Sequence, residues 1–272
     1  MPFNLSSLQS LRRVFHHSFS AHDITEPLVS CEQTEDAGEI RTFMEERLYE
    51  VIGVRANGLV IGYLQRESLA NGTCADHVQP FSDENVILDS LPLAEVILKL
   101  RDCPRLFVSV FGRVGGIVTR SDLQKPPVRM WLFGMVTIIE MRTSRLIEHL
   151  DETEDWRQYL SEGRLKKAED LLAERTRRNQ NLGLLDCLQF SDKCQIIARN
   201  KTLRAMTRYE SRNQLEEAAK RLERLRNNLA HSQDIITTDW EAVVDLCEHL
   251  DELLEGPAQQ KLESMKRQSP NQ

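Results

Sequence analysis

The sequence is short of the pieces from which many catalytic and metal centres are built. Its six cysteines, Cys31, Cys74, Cys103, Cys187, Cys194 and Cys247, stand singly, without a CxxC pair or a zinc-site spacing. Scattered thiols of this kind suit a reducing cytosol, where they pack as small hydrophobes. A Walker A loop and the GxSxG turn of a serine hydrolase are both absent. The strongest apolar run, MWLFGMVTIIEM, is interrupted by Glu140 and is too short to cross a bilayer, so it reads as a buried helix. The first twenty residues lack the apolar core of a secretory signal, and a cytoplasmic protein is expected. Being basic and serine-rich, they leave a transit peptide as the alternative. His16, His17 and His22 have no carboxylate or cysteine at ligand spacing, so no metal is expected there. Trp131, Trp156 and Trp240 read as core or groove anchors.

What is present is a globular chain of 272 residues, 40% hydrophobic and 28% charged, long enough for two ordinary domains. A net charge of −7 excludes a general polyanion coat, so any nucleic-acid partner must use a local basic surface.

The first half repeats itself. VIGVRANGLVIGYLQRESL (51–69) is echoed by LFVSVFGRVGGIVTRSDL (106–123), with Gly62 falling on Gly116. Upstream, ITEPL is echoed by VQPF. Each copy runs helix, strand, turn, strand and a further helix start. Asn57-Gly58 marks a hairpin turn, because both residues tolerate positive φ. EDAGEIRTFMEERL and LPLAEVILKLRD read as the helices before the strands. A repeated unit of this size predicts two copies packed with pseudo-twofold symmetry.

This order, and above all GGIVTRSDL, resembles a tandem pair of CBS domains over about 19–125, divided near 19–75 and 76–125. The resemblance implies that Thr119 and Asp122 bind the phosphate side and the ribose of an adenine nucleotide, AMP, ADP or ATP, acting as a regulatory ligand. A helix N-terminus after the strand would offer free N–H groups to the phosphate. The same two residues also spell a capping box, and the two readings are compatible. The matching positions in the first copy are Gln65 and Ser68, which lack the acid, so one site at most is expected.

Pro126-Pro127 is expected to break the chain, and the rest reads helical. VRMWLFGMVTIIEMRTSRLIEHL is a long apolar helix, and DWRQYLSEGRLKKAEDLLAERTRRNQ is helical with a loop around Gly163. Ser191 is expected to cap one later helix and Thr238 or Asp239 another. Gly256-Pro257 stops the last, and 257–272 reads as a flexible tail. With 1–18 as an N-terminal helical segment, the predicted class is α+β: a CBS-like pair, then an all-α bundle over 128–256.

Within that bundle, RLRNNLAHSQD closes a helix whose buried stripe is Leu215, Ala218, Leu222, Leu225 and Leu229. Asn227 and His231 are four apart and share a face, whereas Arg226 is five from His231, about 140° around a helix of ~3.6 residues per turn. The Arg-Asn-x-x-x-His pattern resembles the signature of HEPN-domain ribonucleases. The resemblance implies that His231 acts as acid or base on the 2′-hydroxyl or the leaving oxygen. Imidazole, with an ordinary pKa of about 6.5, suits that work near neutrality. Arg226 would hold the scissile phosphate and Asn227 would orient it or the imidazole. No metal is implied, and two protomers would appose their motifs in a homodimer. Glu140 and Arg145, on the first helix of the bundle, are further candidates from the same resemblance. Gln233 stands where some HEPN toxins carry a modified tyrosine, so that form of control is not expected.

Between Lys193 and Arg226 lie ten lysines and arginines against four acidic residues, a stretch able to track a single-stranded RNA backbone. A solvated helix face with i,i+4 pairs such as Glu216–Lys220 explains the same charges. The sequence therefore points to a nucleotide-regulated, metal-independent endoribonuclease without a membrane partner. Stress response or phage defence follows by family analogy alone. A non-catalytic nucleotide sensor that uses its bundle for docking, or a purely structural dimer, are the other readings.

Overall fold

The computed structural model describes residues 14–15, 18–148 and 155–249. The expected N-terminal helical segment 1–18 lies mostly outside these residues, and the expected tail 257–272 wholly so. The chain divides into two compact units, one spanning His16–Val128 and the other holding Phe15 together with the chain from Arg129 onward.

The first unit contains β1 (Glu26–Pro27), β2 (Ser30–Glu32), α1 (Ala37–Glu46), β3 (Val51–Ala56), β4 (Leu59–Gln65), β5 (Val86–Leu88), α2 (Leu93–Asp102), β6 (Arg105–Val110) and β7 (Arg113–Thr119). Two sheets result, ordered β1-β7-β6-β5 and β2-β3-β4. The repeat is visible residue by residue. Both hairpins are antiparallel, and Gly62 lies opposite Val54 as Gly116 lies opposite Val108. Both shift register just after that pair. Asn57 and Gly58 adopt φ of 53° and 76°, and Phe111 and Gly112 adopt 50° and 77°, so each turn is of the primed type that matches strand twist.

The copies interlock through their first segments. β1 pairs antiparallel with β7 of the second copy, and Gln79 bridges Tyr63 of the first. At both crossings a glycine admits the other copy's backbone. A Cβ on Gly62 would stand 2.5 Å from the Gln79 carbonyl oxygen, and one on Gly116 would strike Thr25 Cγ2. Thr25 cannot swing away freely, since its hydroxyl donates to the Ala21 carbonyl at 2.6 Å. Beside the crossings Tyr63, Phe81 and Phe107 stack with centroids 4.7–5.8 Å apart. Burial of Ile52, Val54, Leu64 and Met44 closes the first copy, and Leu93, Val96, Ile97 and Leu100 on α2 are buried in the second.

The remaining helices are α3 (Pro126–Glu148), α4 (Glu162–Arg177), α5 (Phe190–Arg199), α6 (Lys201–Ala205), α7 (Arg212–Ala230) and α8 (Ile236–Glu248). Four local expectations change. Pro126 opens α3 instead of breaking the chain, because a first-turn proline gives up no hydrogen bond. Gly163 sits inside the first turn of α4, after Ser161, so the loop falls earlier. Ser191 lies within α5, and it is Asp192 that reaches back to the Gln189 N–H at 3.2 Å. Neither Thr238 nor Asp239 caps α8: the Asp234 carboxylate accepts from the N–H groups of Ile236 and Thr237, which frees Asp239 for another use. The stripe of α7 is buried at Leu215, Ala218, Leu225 and Leu229, with Leu222 half-buried. Trp131 is buried and donates to the Phe15 carbonyl at 2.6 Å.

Gly62→Ala is expected to destabilise the protein by about 2–3 kcal/mol, the range for forcing a methyl into closed packing. Gly115→Ala, where a Cβ would meet nothing within 4 Å, should stay within about 0.5 kcal/mol of wild type. Urea denaturation of the two variants separates close approach from a general glycine effect.

Candidate functional site

The helical unit gathers part of the expected catalytic set. Arg226 on α7 meets Glu140 on α3 at 3.1 Å, Nε to Oε1. The contact is one of charge, for Glu140 Oε1 is buried and receives no directed hydrogen bond. Lys193 on α5 joins this seam, donating from Nζ to Ser144 Oγ on α3 at 2.8 Å. Burial pushes the Lys193 ammonium below the ordinary lysine value, against the opposing pull of Asp186, Glu140 and Glu148. Sequence reasoning counted Lys193 only as one charge in a basic stretch; its inward position depends on how α5 packs against α3.

Asn227 and His231 stand differently. Both side chains are exposed and make no hydrogen bond among the described residues. His231 caps the C-terminus of α7, and the chain then reverses through Ser232 at φ 54°. The Gln233 N–H donates to the Asn228 carbonyl at 2.9 Å, so the helix closes in a Schellman-type turn. Arg129 on α3 holds the same turn from outside. Its guanidinium donates to the carbonyls of Gln233 and Asn228, both at 2.9 Å, and of Leu229 at 3.3 Å. On the α8 side Asp239 is buried and takes two donors at 2.7 Å, Arg224 Nε and Asn228 Nδ2. The imidazole is thus exposed while the turn that carries it is clamped on both sides. Arg129, Arg224 and Asn228 were not singled out from sequence, and Asp239 was expected only as a helix cap. Only the buried acid among polar neighbours hints at them, and its partner lies fifteen residues away. Arg145 lies on α3 beyond Glu140 and is half-buried.

At the second candidate the capping box is formed. Asp122 Oδ2 accepts from the Thr119 N–H at 2.7 Å and its hydroxyl at 2.8 Å. Oδ1 pairs with Lys125 Nζ at 2.9 Å, and Lys125 also pairs with Glu26. Gln65 and Ser68 hold the matching positions of the first copy, where the Ser68 hydroxyl donates to the Gln65 carbonyl at 2.8 Å. The expected helix N-terminus is corrected: Arg120–Gln124 is a five-residue 3₁₀ turn, too short to sum a helix dipole. The cation next to Asp122, Lys125, is shared with Glu26, so its charge is already balanced. Arg120 donates to the Leu100 and Arg101 carbonyls at 2.7 Å and so anchors the turn to the end of α2.

Among the described residues, Asp245, Glu248 and His249 bring ligand atoms within 4.8 Å of one another. Arg208 already neutralises Asp245, at 2.5 Å. No described helix is long and apolar enough to cross a membrane.

No family model matches the chain, and no curated protein matches it. Among solved structures it is similar to an uncharacterized conserved protein from Pyrococcus horikoshii, at 17% identity over 39% of this chain and 90% of that one, with a TM-score of 0.35. It is also similar to the CBS domain of a bacterial CNNM/CorC family Mg2+ transporter in complex with ATP, at 16% identity over 45% and 95%, TM-score 0.34. A third is CBSX2 in complex with AMP, at 17% identity over 39% and 92%, TM-score 0.32. Each of these likenesses takes in less than half of the chain, and at these scores none bears on what the chain does.

Asp239→Ala is expected to cost about 2–4 kcal/mol, because it leaves two donors without their acceptor. His231→Ala should stay within about 0.5 kcal/mol of wild type, its side chain being exposed and unbonded. Chemical denaturation of both variants checks the pair. For Lys193 the sign follows from its lowered value. Below that value the amine is charged in both states. Between it and 10.5, the ordinary value, the folded state has already lost a proton that the unfolded state keeps, so stability rises with pH. The unfolding free energy of wild type minus that of Lys193→Met should therefore increase across this window in urea titrations.

Proposed function

We propose that the chain joins a CBS-like nucleotide-binding pair to a HEPN-like helical ribonuclease. The observation that carries the reading is the pairing of Arg226 with Glu140 on the helix whose clamped end presents Asn227 and His231 to solvent. An RNA phosphate would lie against Arg226, whose charge offsets the charge that builds on phosphorus oxygens. Glu140 would hold the guanidinium in place, and Asn227 would hydrogen-bond the phosphate or the imidazole. The 2′-hydroxyl oxygen would then bond to phosphorus as the bond to the 5′-oxygen breaks. His231 would take the hydroxyl proton or give one to the leaving oxygen. One imidazole cannot do both in the same step, which fits a homodimer that apposes two motifs. The products would be a 2′,3′-cyclic phosphate and a 5′-hydroxyl. No metal is needed in this scheme, and single-stranded RNA is the substrate class it fits.

In the repeated unit, Thr119 would meet the phosphates and Asp122 the ribose of AMP, ADP or ATP. Lys125, bonded to Asp122, would shift toward a phosphate oxygen. The ligand would set the activity by favouring one arrangement of the protein over another. The proposed setting is the cytoplasm, in stress response or phage defence.

A second reading is a nucleotide sensor without catalysis. The engagement of both Asp122 oxygens with Thr119 and Lys125 favours a preformed, rigid loop there, whatever the helical unit does. Cleavage of a mixed single-stranded RNA pool in EDTA, with and without AMP or ATP, separates the two. Wild type is expected to cut and His231→Ala to lose at least a hundredfold in rate, with nucleotide altering the wild-type rate. Equal rates for the two proteins would move the conclusion to the sensor.

A further inference from the structure

At the opposite end of α7 from His231 lies a surface cavity of about 300 Å³ whose lining includes Lys201, Arg204, Thr207, Arg208, Tyr209 and Glu210. Three of these six side chains are cations and one is an acid. Lys201 is exposed and has no partner among the described residues. Arg204 is fixed by donation from Nη1 to the Ala198 carbonyl at 2.7 Å. Arg208 is held more firmly still. Its Nη2 donates to Asp245 Oδ2 at 2.5 Å and to the Tyr209 hydroxyl at 3.1 Å, and its guanidinium stands 5.0 Å from the Tyr209 ring centroid. Yet Arg208 Nη1 is buried and has no hydrogen-bond partner. A buried guanidinium nitrogen without an acceptor is a group for which a native fold ordinarily supplies a water or an ion.

We propose that this cavity is an anion site that takes a phosphate group of the RNA backbone, remote from the bond that is cut. A tetrahedral dianion or diester would supply the countercharge for Lys201 and Arg204, and a turn of the Arg208 guanidinium would bring Nη1, buried as it stands, to a phosphate oxygen. The assignment to RNA rests on the ribonuclease reading; the anion site itself does not. The nineteen residues of α7 separate the cavity from His231 by about 28 Å at ~1.5 Å per residue. Along that helix the exposed Lys220 offers further positive charge. A strand crossing from one end to the other would explain why a net acidic protein concentrates its basic residues between Lys193 and Arg226.

The test has two arms on the full chain. In the first, thermal melting is followed in inorganic phosphate and in chloride of equal ionic strength. Wild type is expected to gain a phosphate-specific rise in Tm. Lys201→Gln and Arg208→Lys are expected to lose most of it, while Lys166→Gln, an exposed lysine on α4, keeps it. No phosphate-specific rise in wild type, or the same rise in all four proteins, overturns the site.

In the second arm, binding of a single-stranded RNA long enough to span α7 is measured in a His231→Ala background over a range of salt. Adding Lys201→Gln should weaken binding several-fold and reduce the slope of log K on log salt by about 0.7, one single-strand phosphate contact. A dinucleotide too short to span the helix should be unaffected. A lost Tm rise with an unchanged salt slope would overturn the RNA assignment and leave a site for a small phosphate compound. Absence of any RNA binding by the parent would sink the ribonuclease reading, while the first arm still decides the anion site.

Discussion

The repeated unit depends on two contacts in which one copy presses on a glycine of the other with no room for a methyl group. At Gly62 the carbonyl of Gln79 comes so close that any side chain would collide, and at Gly116 the segment Thr25–Glu26 does the same. Each copy thereby lends its first segment to the other. The interlocked pair buries Phe107 between Tyr63 and Phe81, residues drawn from both copies. Neither copy closes this core alone, while the matching bulges and matching primed turns belong to each copy's own hairpin. Symmetry stops at the chemistry. Where the second copy has Thr119 and Asp122, the first has Gln65 and Ser68, so the first lacks the acid at the matching position.

The helical unit is organised by a different constraint, acids drawn inward beneath more exposed cations. Glu140, Arg226 and Lys193 share a seam between α3, α5 and α7, and Asp239 is buried under Arg224 and Asn228. Such groups contribute little net stability unless fully partnered. Their value lies in position. Arg129 and Asp239 hold opposite sides of the turn after α7, so the backbone that carries His231 is fixed while its imidazole stands exposed.

Local rules made much of this legible. Strand alternation and Asn57-Gly58 gave the hairpins, and the alignment of Gly62 with Gly116 survives at matching register positions. The apolar stripe of α7 follows from helical period. What escaped was non-local or competitive. Phe111 takes the positive φ that Asn57 takes in the first turn, and nothing in its chemistry announces this. Pro126 could end one element or begin the next, and geometry chose the second. Asp239 looked like a cap because caps are local, but Asp234 had that role and Asp239 turned inward to Arg224. The catalytic candidates were readable as a short pattern. The residues that hold them, Arg129 above all, belong to a helix about a hundred residues earlier and could not be inferred from spacing.

The central claim is that the clamped end of α7 cuts RNA by using the 2′-hydroxyl. The most direct measurement is the chemistry of the ends. RNA incubated with the protein in EDTA, beside the same sequence fully 2′-O-methylated, is analysed by mass spectrometry. The account predicts fragments ending in 2′,3′-cyclic phosphate from the first strand and an intact second strand. Cleavage of the methylated strand, or fragments with 3′-hydroxyl and 5′-phosphate ends, would contradict it.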